Sequence, residues 1–430
     1  MSDGKEKTAG TAAVVEDQPL IPLPHGKRNL FFIILYALFA IDFVARIGVN
    51  AIYPLIQQDL QLNDAQLGIV TGIVQFGMGV FVLPIAFLGE RYSTKWAIAV
   101  SAVIWGLGSL VSGVATGFAS LAASRFAVGV GNAAYAPLSV AMLTSWYKKK
   151  HAGRIIGLYN TAMKLGQASG SVIFAYCAVA YGWRSAFYIV GVVSILLAWA
   201  SLLLPDFQKD RQKSASFSSK QITVMDTVRA VFGNKVLLLV CLGGGIAVLV
   251  VTAMTGWYAI YFTRIMKVSI QYSAWIISSI SVLGMLFYPI GGYILDKLYP
   301  RDKRSRVLFP AFIFALTAVL YWIGFTYQLV LVIGFAGGVY TSGIVAFHAT
   351  TQEIVPASYK AIAYGAYVIC IQLLGALGPI ITGFLSQSFG IAKALQIIPL
   401  FFIIPILMFL YASKYYVEYF NRARAAELEE

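Results

Sequence analysis

The sequence predicts an all-α membrane protein with twelve transmembrane helices arranged as two six-helix bundles. Of its 430 residues, 59% are apolar and only 12% are charged, about half the charge of an ordinary soluble domain. The apolar residues gather in runs of roughly 20, long enough to cross about 30 Å of hydrocarbon as a helix. Residues 86–95 and 292–297 each close such a run with a small residue, a carboxylate and a cation. These are Gly89, Glu90, Arg91 and Lys95 in the first half, and Gly292, Asp296 and Lys297 in the second. A repeat at half the chain length marks a duplicated membrane bundle.

The elements follow in order. Residues 1–28 form an N-terminal tail that carries Asp3, Lys5, Glu6, Lys7, Glu16 and Asp17 and has no apolar core, so it reads as no signal peptide. The first span, 29–55, serves as its own insertion signal. Spans at 65–88, 96–116, 119–146, 152–178 and 184–204 complete a first bundle over 29–204. The longest connection, 205–235, is a polar linker loop with Lys209, Arg211 and Lys213 near its start. Its later part, with Ile222, Val224, Met225, Val228, Val231 and Phe232, has helical spacing of apolar residues. It reads either as a short amphipathic helix lying on the inner membrane surface or as a plain linker. The second bundle, 236–415, holds spans at 236–262, 273–296, 306–326, 328–351, 361–387 and 393–415. Residues 416–430 form a C-terminal tail.

The net charge of +14 would suit a nucleic-acid partner, but its distribution argues for topology instead. With both termini in the cytoplasm, most of the Lys and Arg fall inside, among them Lys27, Arg28, Lys148, Lys149, Lys150, Arg154, Arg301, Lys303 and Arg304. Arg184, Arg264, Lys267 and Lys393 fall outside, and Arg46, Arg125 and Lys164 lie within spans. Cys177, Cys241 and Cys370 are all in spans and suggest neither a disulfide framework nor a metal site. The expected location is the plasma membrane, crossed many times. Lipids are the expected surroundings and the protein is expected to be a monomer, with no nucleic-acid partner.

Taken together, these features resemble the major facilitator superfamily. Gly89, Glu90, Arg91 and Lys95 match its signature after span two, with Ala86 and Ser93 where the family favours glycine. Arg125, Gly129 and Gly131 match its Arg-x-x-x-Gly-x-Gly motif in span four, and Gly292 to Lys297 supply the second copy of the loop. The resemblance implies a transporter fold. It also implies that Glu90, Arg91 and Asp296, and secondarily Lys95 and Lys297, latch neighbouring helices during conformational gating. Leu62-Asn63-Asp64-Ala65-Gln66-Leu67-Gly68 and Tyr181-Gly182-Trp183-Arg184 look like bacterial organic-anion:cation symporters and Spinster-like carriers. Many members of both groups carry a span-four glutamate where this chain has Asn132.

A charge near the bilayer centre costs about 2.5–3.5 kcal/mol on insertion scales, so it usually faces an aqueous cavity and has a task. Asp42 lies near the middle of span one, and Arg46 follows four residues on, on the same face. Lys164 is near the middle of span five, and Arg125 is in the outer half of span four. Three cations to one acid leave a positive surplus that a substrate anion would balance. Arg46 and Lys164 are the candidate anion ligands. Asp42 is the candidate carrier of a coupling proton, since burial and nearby cations pull its proton affinity in opposite directions. Arg125 reads equally as a substrate contact or as a structural or gating residue, Asp42 with Arg46 as a static pair, and Lys164 as an anion ligand or as the partner of Asp42 across the cavity. In the second half Tyr258, Tyr340 and Gln372 are candidate substrate contacts. Gln75, Asn132, Asn160 and Gln167 join them from the first, while His348 reads as a packing residue.

The functional expectation is a secondary active transporter of a small organic anion, a carboxylate or sugar acid, driven by proton symport through alternating access. The coupling proton is the only expected cofactor, and no metal is expected. Anion exchange or facilitated diffusion, a Spinster-like lysolipid carrier, and a nutrient sensor are the alternatives. An enzyme is not expected, because no His, Asp or Glu cluster and no Ser or Cys with a base at readable spacing is present.

Overall fold

Inside hydrocarbon a single segment satisfies its own backbone only as a helix. The computed structural model describes residues 21, 23–205, 233–356 and 359–429, and these contain helices, turns and no strand. Most of the N-terminal tail and the apolar-spaced stretch of the linker lie outside the described residues.

Among the described residues eleven segments are long and apolar enough to cross a membrane. The helix Lys149–Tyr181, 33 residues long, makes the twelfth. Asn160, Lys164 and Gln167 make it the least apolar of the crossings, which is how a cavity-lining helix differs from a lipid-facing one. Most spans are single helices, such as Asp64–Arg91, Lys235–Arg264, Ile270–Leu298 and Lys360–Phe389. Three are broken. The first passes from His25–Ile47 through a 3-10 turn at Gly48–Ile52 into Tyr53–Asp59. The fourth divides into Phe118–Asn132 and Tyr135–Ser145, and the twelfth carries a 3-10 turn at Ile398–Phe402.

The duplication shows in local geometry. The sixth and twelfth spans each follow a glycine with positive φ, Gly182 at 82° and Gly390 at 83°, where a side chain would be strained. The second and eighth spans each carry an internal proline, Pro84 and Pro289.

Each bundle has an aromatic core. In the first, the rings of Phe39 and Tyr159 stack at 4.7 Å. In the second, Phe314 stacks with Tyr340 at 5.8 Å and with Phe402 at 5.2 Å. The expected C-terminal tail is a helix, Tyr416–Glu429, folded back against the end of the tenth span. The Tyr416 hydroxyl donates to Glu353 at 2.7 Å, and Arg306 holds the same carboxylate through two bonds of 3.0 and 2.7 Å. Lys360 pairs with Glu427 at 2.7 Å.

The bundles meet most tightly on the face opposite the chain termini, here the distal face. A Cβ at Gly68 would lie 2.5 Å from the Pro379 carbonyl oxygen, and one at Gly383 would lie 2.5 Å from the Asp64 carbonyl oxygen. Towards the terminal face the same pair of helices parts, and a Cβ at Gly365 would meet only Leu83, at 3.9 Å. The molecule is therefore sealed distally and looser on the face that carries its termini.

Candidate functional site

Arg125 sets the frame. An α-helix leaves its last carbonyls without partners and carries partial negative charge at that end. The first span ends its α-helical part in mid-membrane, at Ile47. Arg125, fully buried, donates from Nη1 to the carbonyl of Ala45 at 3.0 Å and from Nη2 to that of Arg46 at 3.2 Å. Those two donors cap the end of this helix.

Asp42 and Arg46 lie beside this capped end. Asp42 is buried, its Oδ2 is 3.9 Å from Arg46 Nη2, and its Oδ1 has no hydrogen-bond partner. At that separation the pair attracts without a hydrogen bond to lock it. Arg46 lays its guanidinium over the Phe43 ring, 4.1 Å from the centroid, and directs Nη1 to Met78 Sδ at 3.0 Å. Its Nε is unpartnered.

Lys164 reaches from the fifth span towards the eighth. Its Nζ is 3.5 Å from Gln167 Oε1, at the limit of a hydrogen bond. It also lies 3.6 Å from where a Cβ at Gly284 would stand. No carboxylate lies within 4.0 Å of it among the described residues, so the Lys164–Asp42 pair considered from sequence does not form here. Gln372, on the eleventh span, donates to Met78 Sδ at 3.3 Å. The second bundle thereby reaches the same sulfur as Arg46. Gln75 Oε1 and both amide atoms of buried Asn132 have no hydrogen-bond partner. Asn160 is exposed.

Two tyrosines fall elsewhere. Tyr258 is buried with its hydroxyl 2.9 Å from that of Tyr321, and Tyr340 is buried in the second bundle's aromatic core with its hydroxyl unpartnered. Both pack in the bundle core and not at its open side. Tyr288 and Tyr364, on the eighth and eleventh spans, are exposed. Of the residues expected to gate, Arg91 and Asp296 are exposed, and the side chains of Glu90 and His348 lie outside the described residues. No group of three or more His, Cys, Asp or Glu able to hold a metal occurs among the described residues.

A distal network joins the bundles and was not foreseen from sequence. Arg264 Nη1 lies 3.0 Å from both Asp64 oxygens, and Arg264 Nη2 also donates to Gln57. Gln57 Nε2 donates to Asp64 Oδ1 at 2.6 Å, and Ser386 to Oδ2 at 2.5 Å. The first and second spans are thus tied to the seventh and eleventh. An ion pair of this partly exposed kind is worth up to about 1 kcal/mol, or about 5-fold in a population. Asp64→Asn is expected to raise hydrogen exchange across 57–68 and 383–389 by that factor, with Arg264→Ala adding little to it. Unchanged exchange in both variants would remove the network from the distal seal.

Similarity to other proteins agrees with this architecture. The chain is 24% identical over 395 residues to the hexuronate transporter of Bacillus subtilis (strain 168), covering 83% of this chain and 88% of the relative. It is 24% identical over 314 residues to a probable galactarate/D-glucarate transporter of the same organism, covering 65% and 68%. In fold it is similar to a bacterial homologue of the human lysosomal transporter Spinster, crystallised inward-facing and unoccupied. That likeness has a TM-score of 0.80 at 17% identity over 92% of this chain and 99% of the other. The sequence pattern of the Major Facilitator Superfamily matches residues 33–379. That match spans most of the chain, and the chain belongs to the Major Facilitator Superfamily.

Proposed function

We propose that the protein is a secondary active transporter of a small organic anion, a carboxylate or sugar acid, taken up with a proton by alternating access. The observation that carries this reading is the state of its membrane cations. Lys164 has only the distant Gln167 oxygen, and Arg46 ends on a thioether and an unlocked carboxylate. Cations held in low dielectric without full hydrogen bonding are costly unless a counter-ion arrives. Similarity to carriers named for hexuronate and for galactarate and glucarate supports the same class. Asp42 takes the coupling proton, and the two bundles rock about the site. The excess of Lys and Arg on the connections of the terminal face makes that face cytoplasmic, in a bacterial inner membrane.

The test is ligand-induced thermal stabilisation of the purified protein with glucuronate, galactonate, glucarate, simple monocarboxylates and lysophospholipids. Wild type is expected to be stabilised by a sugar acid or carboxylate. Lys164→Ala is expected to lose about 10- to 100-fold in affinity for it, the worth of one hydrogen bond to a charged group. Stabilisation by lysophospholipid alone, or by an anion indifferent to the substitution, would overturn this reading.

A further inference from the structure

Met78 holds an unusual place. It is buried on the second span, and two donors from opposite bundles converge on its sulfur: Arg46 Nη1 at 3.0 Å and Gln372 Nε2 at 3.3 Å. A thioether is a weak acceptor, whereas a guanidinium and a primary amide are strong donors. The rest of Arg46 does not compensate, since its Nε has no partner and its Nη2 stands 3.9 Å from Asp42. Both donors are partly exposed, so a ligand in the space between the bundles can reach them. Strong donors set this deep in a membrane protein are ordinarily matched by strong acceptors, so this mismatch points to an acceptor that comes and goes.

We propose that Met78 Sδ occupies the position of a substrate carboxylate oxygen, and that the arriving carboxylate displaces it. The proposal rests on the organic-anion reading above. A carboxylate offers two oxygens with about four lone-pair directions, enough for the Arg46 fork and for the Gln372 amide together. Methionine suits such a placeholder because it is unbranched, has three rotatable side-chain bonds and repacks at little cost. Once bound, the carboxylate links Arg46 of the first bundle to Gln372 of the second. Anion binding then clasps the two bodies that rock, and a ligand without a terminal carboxylate lacks the clasp. Met78 is in this sense a placeholder, whose two weak bonds are given up as the carboxylate binds.

The experiment measures affinity for glucuronate, galactonate and glucarate by the same thermal stabilisation, in Met78→Gln, Met78→Leu and Gln372→Ala. Met78→Gln installs a permanent strong acceptor between the donors and is expected to weaken binding by about 10-fold or more. Met78→Leu removes the competing acceptor at similar volume and is expected to tighten binding by about 2- to 5-fold. The opposite signs separate displacement from packing, because a methionine that only fills space gives losses in both. Met78→Gln binding as wild type does, or Met78→Leu binding more weakly, overturns the inference. If Met78→Gln does not fold, Gln372→Ala decides. A loss of about 5-fold or more supports the clasp, and wild-type affinity overturns it. A wild type that none of these anions stabilises overturns the organic-anion reading and this inference with it. A responsive wild type whose Met78 variants change affinity with the wrong sign, or not at all, overturns the inference alone.

Discussion

Replacing Asp42 with asparagine is expected to abolish accumulation driven by a pH gradient while leaving substrate counterflow within about 3-fold of wild type. Asparagine keeps the size of a protonated carboxyl and cannot cycle its proton. Asp42 is the membrane-centre acid, buried and held to Arg46 only across 3.9 Å with one oxygen unpartnered. A carboxylate so placed depends on one cation for its charged form. When a substrate carboxylate takes the Arg46 fork, that compensation is shared and Asp42 is favoured to bind a proton. By linkage, a protonated Asp42 leaves Arg46 freer for the substrate, and the two bind in mutual support. On the symport reading proposed above, that reciprocity couples anion and proton without a second acid in span four, where Asn132 stands. The measurement is uptake of labelled substrate into proteoliposomes with and without an imposed pH gradient. Wild-type accumulation by Asp42→Asn would take the proton site elsewhere. Loss of counterflow as well would make Asp42 a holder of Arg46.

The crossings were legible because length and apolarity are one-dimensional properties. The fifth span, expected at 152–178, is the helix Lys149–Tyr181, and the ninth, expected at 306–326, is Ser305–Thr326. The facing of side chains was less legible, for a physical reason. A membrane helix is apolar on its lipid side and its packed side alike, so periodicity does not tell a cavity from a core. Tyr258 and Tyr340 therefore read as cavity walls, yet they lie buried, one hydroxyl on Tyr321 and one ring on Phe314. Met78 gave no signal at all, since nothing separates a thioether under two donors from one among lipids until three helices are placed. Asp64 and Arg264 sit 200 residues apart, beyond the reach of any local pattern. Of the charges that were rare enough to stand out, Asp42, Arg46 and Lys164 have weak or distant partners, whereas Arg125 holds two carbonyls even though its Nε is unpartnered. Arg125 was equally rare, and only its contacts separate it from them.

Arg125→Ala is expected to lower the stability of the folded protein by about 3–5 kcal/mol, the cost of removing one partner from a buried, charged interaction. The reasoning begins with the first span. Its α-helix stops at Ile47 and continues as the 3-10 turn Gly48–Ile52, which leaves the carbonyls of Ala45 and Arg46 facing Arg125 at 3.0 and 3.2 Å. In hydrocarbon no water replaces the lost donors, and the negative end of the helix stays uncompensated. Arg125→Lys keeps the charge but offers no planar fork for two carbonyls, so it is expected to recover only part of the loss. The same residue positions Arg46, whose own carbonyl it holds, so the damage should spread to anion affinity in proportion to the unfolding. The measurement is the melting temperature and monodispersity in detergent, beside the affinity of the surviving folded fraction. A variant as stable as wild type but unable to bind the anion would return Arg125 to the substrate. A destabilised variant whose folded fraction still binds would fix it as the cap on which the site is built.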